Sequence, residues 1–264
     1  MNWIQIRFTA DKASQPLLEE ALWSAGAASL TYQDGADQPI LEPGLHETPL
    51  WDALVVTALF EAGIVVDDVL QQLSQVLDGP LPPHRVELLE DKDWLREWMK
   101  DYQPMQFGER IWVCPSWLEA PDPGAINLML DPGLAFGTGT HPTTAMCLTQ
   151  LDALPLAGKT VIDYGCGSGI LAIAALLLGA DKVIATDIDP QALAASRDNA
   201  ERNGVAAQLQ LYLPQDMPQQ PVDVVLANIL AGPLVALADQ LSGLLKPGGT
   251  LLLSGLLAEQ QPAL

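Results

Sequence analysis

The sequence predicts an α/β protein of two parts, a small α+β domain and a larger domain built on a doubly wound parallel sheet. Three observations predict this fold. The first 89 residues give strand and helix signals in the order β-α-β-β-α-β, which is that of a ferredoxin-like sandwich. After Glu109, strands and helices alternate, as they do around a parallel sheet. A glycine-rich turn, Gly165–Gly169, joins an apolar strand directly to an apolar helix, and such a turn lets the backbone pass close to a ligand.

Periodicity and capping residues define the elements of the first domain. Residues 3–8 alternate as a strand does, and the apolar stripe after them predicts a helix with Ser14 at its N-cap and Gly26 at its end. Later runs are distinguished as strand or helix by the spacing of their apolar residues. The predicted elements are strand 3–8, helix 14–26, strand 28–33, strand 50–60, helix 65–77 and strand 84–89.

A charged segment, residues 90–100, separates the two domains. It predicts a helix that ends before Pro104, with Trp94 and Trp98 one turn apart and buried against a neighbouring domain. We therefore expect a small α+β domain at 1–89, a linker at 90–108 and a doubly wound α/β domain at 109–264. In the last of these the predicted strands are 161–163, 182–187, 208–213, 222–227 and 250–254, and the predicted helices are 170–178, 190–203 and 234–245.

Charge and composition restrict the function classes. The net charge is −21, with 18 acidic and 6 basic residues in 1–108 and 15 and 6 in 109–264, so neither part offers the basic face that free nucleic acid requires. Acidity either keeps the protein soluble or attracts a strongly basic partner. The amino terminus lacks a signal-peptide pattern, and the most apolar run, 170–180, is too short to span a membrane. Three scattered cysteines favour a reducing cytoplasm over disulfides or a zinc site.

The glycine turn distinguishes between two nucleotide-like ligands. Its spacing is G-x-G-x-G, whereas a dinucleotide fingerprint needs G-x-G-x-x-G, and Ile170 stands where that longer form has its last glycine. The acid before the turn, Asp163, would repel a pyrophosphate but can bind the amino group of a methionine moiety, directly or through water. The turn with Gly165, Gly167 and Gly169 therefore favours S-adenosylmethionine over NAD.

Three further positions are candidates for the same site. Asp187 ends the next predicted strand, where a carboxylate can accept hydrogen bonds from both ribose hydroxyls, and Asp189 before a proline suits a helix N-cap. Asn228 ends the fourth strand and can orient a nucleophile or contact the cofactor, or cap the next turn. His141 lies in a Gly/Thr-rich loop, residues 131–144, and is either a general base or a structural residue.

Four motifs together resemble the PrmA family, whose members methylate a ribosomal protein of the large subunit. They are residues 131–144, 163–169, 187–190 and 228–231, and the likeness extends over the whole chain. The resemblance implies a substrate-recognition domain, a linker and a class I (Rossmann-like) methyltransferase domain. It implies methylation of the N-terminal amine and of lysine side chains, with cofactor contacts at Thr144, Gly165, Asp187 and Asn228. Family members continue beyond the strand at 250–254 with a helix and a hairpin, so we expect the last strands of the sheet to be missing.

The residues leave three alternatives open. Methylation of RNA or of a small amine is one, although Asn228 is followed by Ile-Leu-Ala rather than by the Pro-Pro-Tyr of many adenine and glutamine methyltransferases. A non-catalytic cofactor-binding module in ribosome assembly is the second. An NAD-linked oxidoreductase is the third and is disfavoured by Ile170 and Asp163. For the favoured enzyme we expect a monomer with a basic ribosomal protein as its partner, and Asn228 and His141 as catalytic residues.

Overall fold

The computed structural model describes residues 2–40, 47–77, 79–89, 102–131 and 141–261. The chain divides into two compact units, Met1–Trp98 and Met99–Leu264. The predicted linker helix at 90–100, with its two tryptophans, lies outside the described residues, as does most of the Gly/Thr-rich loop before His141. Among the helices of the described segments, none has the length and apolarity needed to cross a membrane.

The first unit contains a four-stranded antiparallel sheet and two helices, in the predicted element order β-α-β-β-α-β. The bounds are β1 Trp3–Asp11, α1 Gln15–Ser24, β2 Ser29–Asp34, β3 Ala53–Glu61, α2 Val66–Val76 and β4 His84–Leu89. The strand order in the sheet is β2-β3-β1-β4. Every second residue of β3 is buried and those between are half-buried, because the helices cover one face of the sheet.

The expected N-cap of α1 does not cap the helix through its side chain. Ser14 precedes the first helical residue but has helical dihedral angles and makes no capping hydrogen bond. Its hydroxyl instead donates to Asp11 Oδ1 at 2.7 Å, in a turn that joins β1 to the helix. Gly26 follows the helix with φ of +88°, in agreement with its predicted role as a stop.

The second unit begins with a small sheet that the sequence did not predict. Strands β5 (Met105–Phe107), β6 (Ile111–Cys114) and β7 (Ile126–Met129) form it, and β5 lies inside the range predicted as linker. Helix α3 (Pro142–Ala153) follows and was also missed. The turn between β5 and β6 is fixed to α3 by Asp152. Its carboxylate accepts from the backbone N–H of Glu109 at 2.7 Å and from Arg110 Nε at 3.0 Å.

The main sheet of the second unit has five parallel strands with helices between them. The bounds are β8 Thr160–Tyr164, α4 Ile170–Leu177, β9 Lys182–Thr186, α5 Pro190–Arg202, β10 Leu209–Tyr212, β11 Val222–Asn228, α6 Ala231–Gly243 and β12 Leu245–Ser254. The strand order is β10-β9-β8-β11-β12 and reverses between β8 and β11, so the sheet is doubly wound, as predicted. Apolar residues of a central strand alternate between the two faces: Val161 packs in one core cluster and Ile162 in the other.

Two of these elements begin three or more residues earlier than predicted. Helix α6 starts at Ala231, three residues before the first strongly apolar position. Strand β12 starts at Leu245, because that residue pairs with Val222 before the register shifts around Pro247-Gly248-Gly249. Neither difference moves the carboxyl ends of the strands, where the candidate site lies.

Candidate functional site

The candidate site lies at the carboxyl ends of β8, β9 and β11, next to the point where the strand order reverses. Parallel pairing puts Tyr164 beside Thr186 and beside Ala227, so the segments that follow these strands emerge together. Ligands of doubly wound sheets bind in the crevice at such a reversal. The sheet therefore brings together the glycine turn, Asp187 and Asn228, as the sequence predicted.

The glycine turn has a conformation that requires glycine. Gly165, Gly167 and Gly169 have φ of +79°, +54° and +79°, a region that residues with a Cβ avoid. A Cβ on Gly165 would lie 2.3 Å from Ile229 Cγ2. The N–H groups of residues 165 and 166 both donate to the carbonyl oxygen of Thr186, at 2.8 and 3.0 Å, which ties the turn to the end of β9.

Asp187 is held by two backbone N–H groups. Its Oδ2 accepts from the N–H of Gly167 at 2.9 Å, and its Oδ1 accepts from the N–H of Asp189 at 3.0 Å. A carboxylate has about four acceptor positions, so both oxygens can still accept from a ligand. Asp189 in turn accepts from the N–H of Gln191 at 2.8 Å as the N-cap of α5, which confirms its predicted role.

Asp163 is buried beneath the glycine turn, with only 1% of its surface exposed. Its Oδ2 accepts from the N–H of Ala172 at 3.0 Å, whereas Oδ1 has no hydrogen-bond partner among the described residues. Burial raises the pKa of this carboxyl to about 7, against the lowering effect of the Ala172 N–H and with a further increase from the charge of Asp187. A buried, unpartnered carboxylate oxygen of this kind fits a cationic ligand group.

Thr144 and Asn228 come together on the opposite side of the turn. Thr144 is fully buried in the first turn of α3, and the Asn228 side-chain amide donates to its hydroxyl at 3.4 Å. Strand β12 supports this contact: Ser254 pairs with Asn228 in the sheet and donates from Oγ to the carbonyl oxygen of Thr143 at 3.4 Å. The amide of Asn228 is thereby fixed at the edge of the crevice.

His141 is the N-cap of α3. Its Nδ1 accepts from the N–H of Thr143 at 3.3 Å and lies 2.7 Å from the Thr143 hydroxyl. When Nδ1 accepts both hydrogen bonds, the proton of a neutral imidazole is on Nε2. The described contacts thus give His141 a structural role, while a catalytic role stays a hypothesis.

Several residues around the site were missed by the sequence analysis. Ser196 and Asn199 on α5 donate to backbone carbonyls of the glycine turn. Ile188, between the two acids, is 86% exposed, which is unusual for an isoleucine next to a polar crevice. An isoleucine between two acids, directly after a strand, is a signal that could have identified Ile188. No sequence signal identifies a helix residue that donates a hydrogen bond to a distant carbonyl.

Comparison with known proteins gives matches to one family, and the family model and the sequence relatives cover nearly the whole chain. The family model described as "Ribosomal protein L11 methyltransferase (PrmA)" matches residues 2–264. Proteins named ribosomal protein L11 methyltransferase from Azotobacter vinelandii and Pseudomonas aeruginosa are 59% and 58% identical, over 98% of this chain and 89% of each relative. A crystal structure of ribosomal protein L11 methylase from Lactobacillus delbrueckii subsp. bulgaricus is 36% identical, with a TM-score of 0.56, and covers 61% of this chain and 84% of that one.

Proposed function

The chain belongs to the ribosomal protein L11 methyltransferase family, and from this membership we propose that it transfers methyl groups from S-adenosylmethionine to amino groups of a large-subunit ribosomal protein. The amino groups are the N-terminal α-amine and lysine ε-amines. The observation that carries the proposal is the Asp187 carboxylate, fixed by the N–H of Gly167 within a turn of three positive-φ glycines. That arrangement suits a nucleoside bound at the end of β9.

The residues present fit the cofactor group by group. Asp187 binds the two ribose hydroxyls, and the exposed Ile188 provides an apolar contact for the adenine ring. The three positive-φ glycines let the backbone of the turn pass close to the methionine moiety of the cofactor. Asp163 Oδ1, which lacks a partner among the described residues, binds the amino group of the methionine moiety directly or through water. Thr144 and Asn228 close the other side.

The methyl transfer requires little of the protein beyond placing the amine next to the methyl group of the cofactor. The bound cofactor supplies an electrophilic methyl group on a sulfonium, and the residues must hold the amine in line with the methyl–sulfur bond. Asn228, whose amide is fixed against Thr144, orients the incoming nitrogen. The nitrogen must be neutral to attack. An α-amine with a pKa near 8 meets this condition at neutral pH more readily than a lysine with a pKa near 10.4.

The substrate protein is basic, and the enzyme is acidic throughout. With a net charge of −21, its surface attracts a basic ribosomal protein and repels free nucleic acid. Residues 1–89 form the substrate-recognition domain. The catalytic domain includes β5 and therefore starts no later than Met105, inside the range 90–108 that was predicted as linker. The enzyme acts in the cytoplasm, since its substrate is met before or during ribosome assembly, and it acts as a monomer.

The role of His141 can be tested separately from its capping role. His141→Asn keeps a side-chain acceptor at the N-cap, whereas His141→Ala removes it and is expected to lower stability by about 1 kcal/mol. If proton loss from the amine goes through His141, both variants lose activity and the pH dependence of kcat changes. If His141 only caps the helix, His141→Asn retains wild-type activity at every pH. Thermal melting and methylation rates from pH 6 to 9 distinguish the two.

The proposed function is tested by incubating the purified protein with radiolabelled S-adenosylmethionine and separate pools of ribosomal proteins, RNA and small amines. We expect label on one basic large-subunit protein, and mass spectrometry should place it on amino groups. An Asp187→Ala variant is the control for cofactor dependence and should incorporate no label. Label on RNA or on a small amine would replace the proposed substrate. Cofactor binding without label in any pool would favour a non-catalytic module.

A further inference from the structure

We propose that Ser196 and Asn199 are positioning residues that hold the glycine turn in its cofactor-binding shape. Both lie on α5, three residues apart and therefore on one face of the helix. Both are buried, with exposed fractions of 0% and 8%. The inference rests on the proposed function, because it concerns the affinity of that same cofactor site.

Each residue donates a hydrogen bond to a carbonyl of the turn. Ser196 Oγ donates to the carbonyl oxygen of Gly167 at 2.9 Å, and Asn199 Nδ2 donates to that of Ser168 at 2.9 Å. The orientation of the Asn199 amide is itself fixed, because its Oδ1 accepts from Arg202 at 2.9 Å. Two consecutive carbonyls of the turn are thus directed toward α5.

These bonds control the part of the turn that contacts Asp187. The N–H of Gly167 donates to the Asp187 carboxylate, while the carbonyl of the same residue is held by Ser196. Glycine has a broad range of accessible dihedral angles, so without the second bond the peptide after Gly167 is free to rotate. Rotation of that peptide would change the path of the turn directly after Gly167, whose N–H orients the carboxylate that binds the ribose.

Helix α5 packs closely against the glycine turn at Ser196. A Cβ built on Gly169 would lie 2.8 Å from Ser196 Oγ and 3.0 Å from Ser196 Cβ, so α5 packs directly against the turn. The Cys166 thiol lies 3.4 Å from the same hydroxyl. A larger side chain at position 196 has no space, and alanine removes the donor while changing the volume by a single oxygen atom. Ser196→Ala is therefore a clean test of the hydrogen bond.

The test uses two variants and a matched control. Ser196→Ala removes one donor. Asn199→Asp keeps the size and the acceptor for Arg202 but replaces the donor that faces the Ser168 carbonyl. Asp198→Asn, at an exposed position of the same helix, is the control for an acid–amide exchange. Binding of S-adenosylhomocysteine is measured by calorimetry, melting temperature without cofactor by circular dichroism, and kcat and KM by methylation of the ribosomal protein.

We expect each variant to weaken S-adenosylhomocysteine binding about tenfold or more. Without the hydrogen bond the glycine turn adopts other conformations, and returning it to the binding conformation costs part of the binding free energy. The KM for the cofactor should rise in parallel, while kcat at saturating cofactor and the KM for the protein substrate stay near wild type. Binding within twofold of the control for both variants, or a lower melting temperature alone, would overturn the proposal. If the wild-type protein itself fails to bind S-adenosylhomocysteine, the proposed function fails first. Should Asn199→Asp not fold, Ser196→Ala decides.

Discussion

Gly165→Ala is expected to reduce affinity for S-adenosylhomocysteine by about 100-fold or more. Two effects combine. A non-glycine residue at φ of +79° costs about 1–2 kcal/mol, and the new Cβ would lie 2.3 Å from Ile229 Cγ2, so the turn or the isoleucine must move. Movement of Ile229 would also displace the neighbouring Asn228. Calorimetric binding of S-adenosylhomocysteine measures the loss.

Gly204 offers a matched control for this prediction. It has a φ of +70°, close to that of Gly165, but a Cβ built there would meet no atom within 4 Å. Gly204→Ala should therefore show the backbone strain as a lower melting temperature, with cofactor affinity near wild type. In addition, Ile229→Ala should restore part of the affinity lost by Gly165→Ala. Equal affinities for Gly165→Ala and Gly204→Ala would contradict the proposed contact.

The parts of the site that depend on local geometry were predictable from the sequence. A glycine turn, an Asp-Pro helix start and an acid at a strand end each follow from the properties of a few adjacent residues. Asp189 illustrates this, because its carboxylate accepts from an N–H two residues away. The doubly wound order was predictable for a similar reason, since alternating strands and helices permit few arrangements.

Helix α3 was missed although its signal was present. Thr144, Cys147, Leu148 and Leu151 are buried at the spacing i, i+3, i+4 and i+7, which is the spacing of one helix face. The glycines and threonines before the helix suggested a loop, and the cap is a histidine rather than one of the common capping residues. The mistake assigned Thr144 and His141 to a loop, whereas both are placed by the start of a helix.

Other features depend on contacts between distant segments, which a single sequence does not reveal. The short strand β5 is next to a turn held by Asp152, 43 residues further along the chain from Glu109. Strand β7 is bound by Asn203, which both donates to and accepts from the backbone of Met129 at 2.8 Å. Ser196 belongs to the same group, because its partner is a carbonyl 29 residues earlier.

Asp163→Asn is expected to make the empty protein more stable at neutral pH relative to wild type, and to weaken cofactor binding. Burial raises the pKa of Asp163 to about 7 in the folded state, whereas an unfolded aspartate titrates near 3.8. Between these values the folded state holds a proton that the unfolded state has lost. Stability contributed by this group is therefore fully present below about pH 4 and decreases as the pH rises toward 7.

Asparagine does not titrate, so the free energy of unfolding of this variant does not decrease in this way. The difference in free energy of unfolding between variant and wild type should therefore grow by about 2–3 kcal/mol from pH 5 to pH 8. Denaturant unfolding at several pH values measures the difference, in which the contributions of all other groups cancel. Asp223→Asn is a control of opposite sign. Hydrogen bonds from the Thr160 N–H and Lys246 lower the Asp223 pKa, so its removal should destabilise the protein at neutral pH.

Binding should show the opposite effect at Asp163, because a cationic amino group favours the carboxylate over the neutral acid. Wild-type affinity for S-adenosylhomocysteine should therefore rise as the pH increases from 5.5 to 7.5, about tenfold if the amine contacts the carboxylate directly. Asp163→Asn should bind more weakly and lose most of that pH dependence. A variant that gains stability but binds with wild-type affinity and wild-type pH dependence would show that Asp163 serves the turn alone and that the methionine amine binds elsewhere.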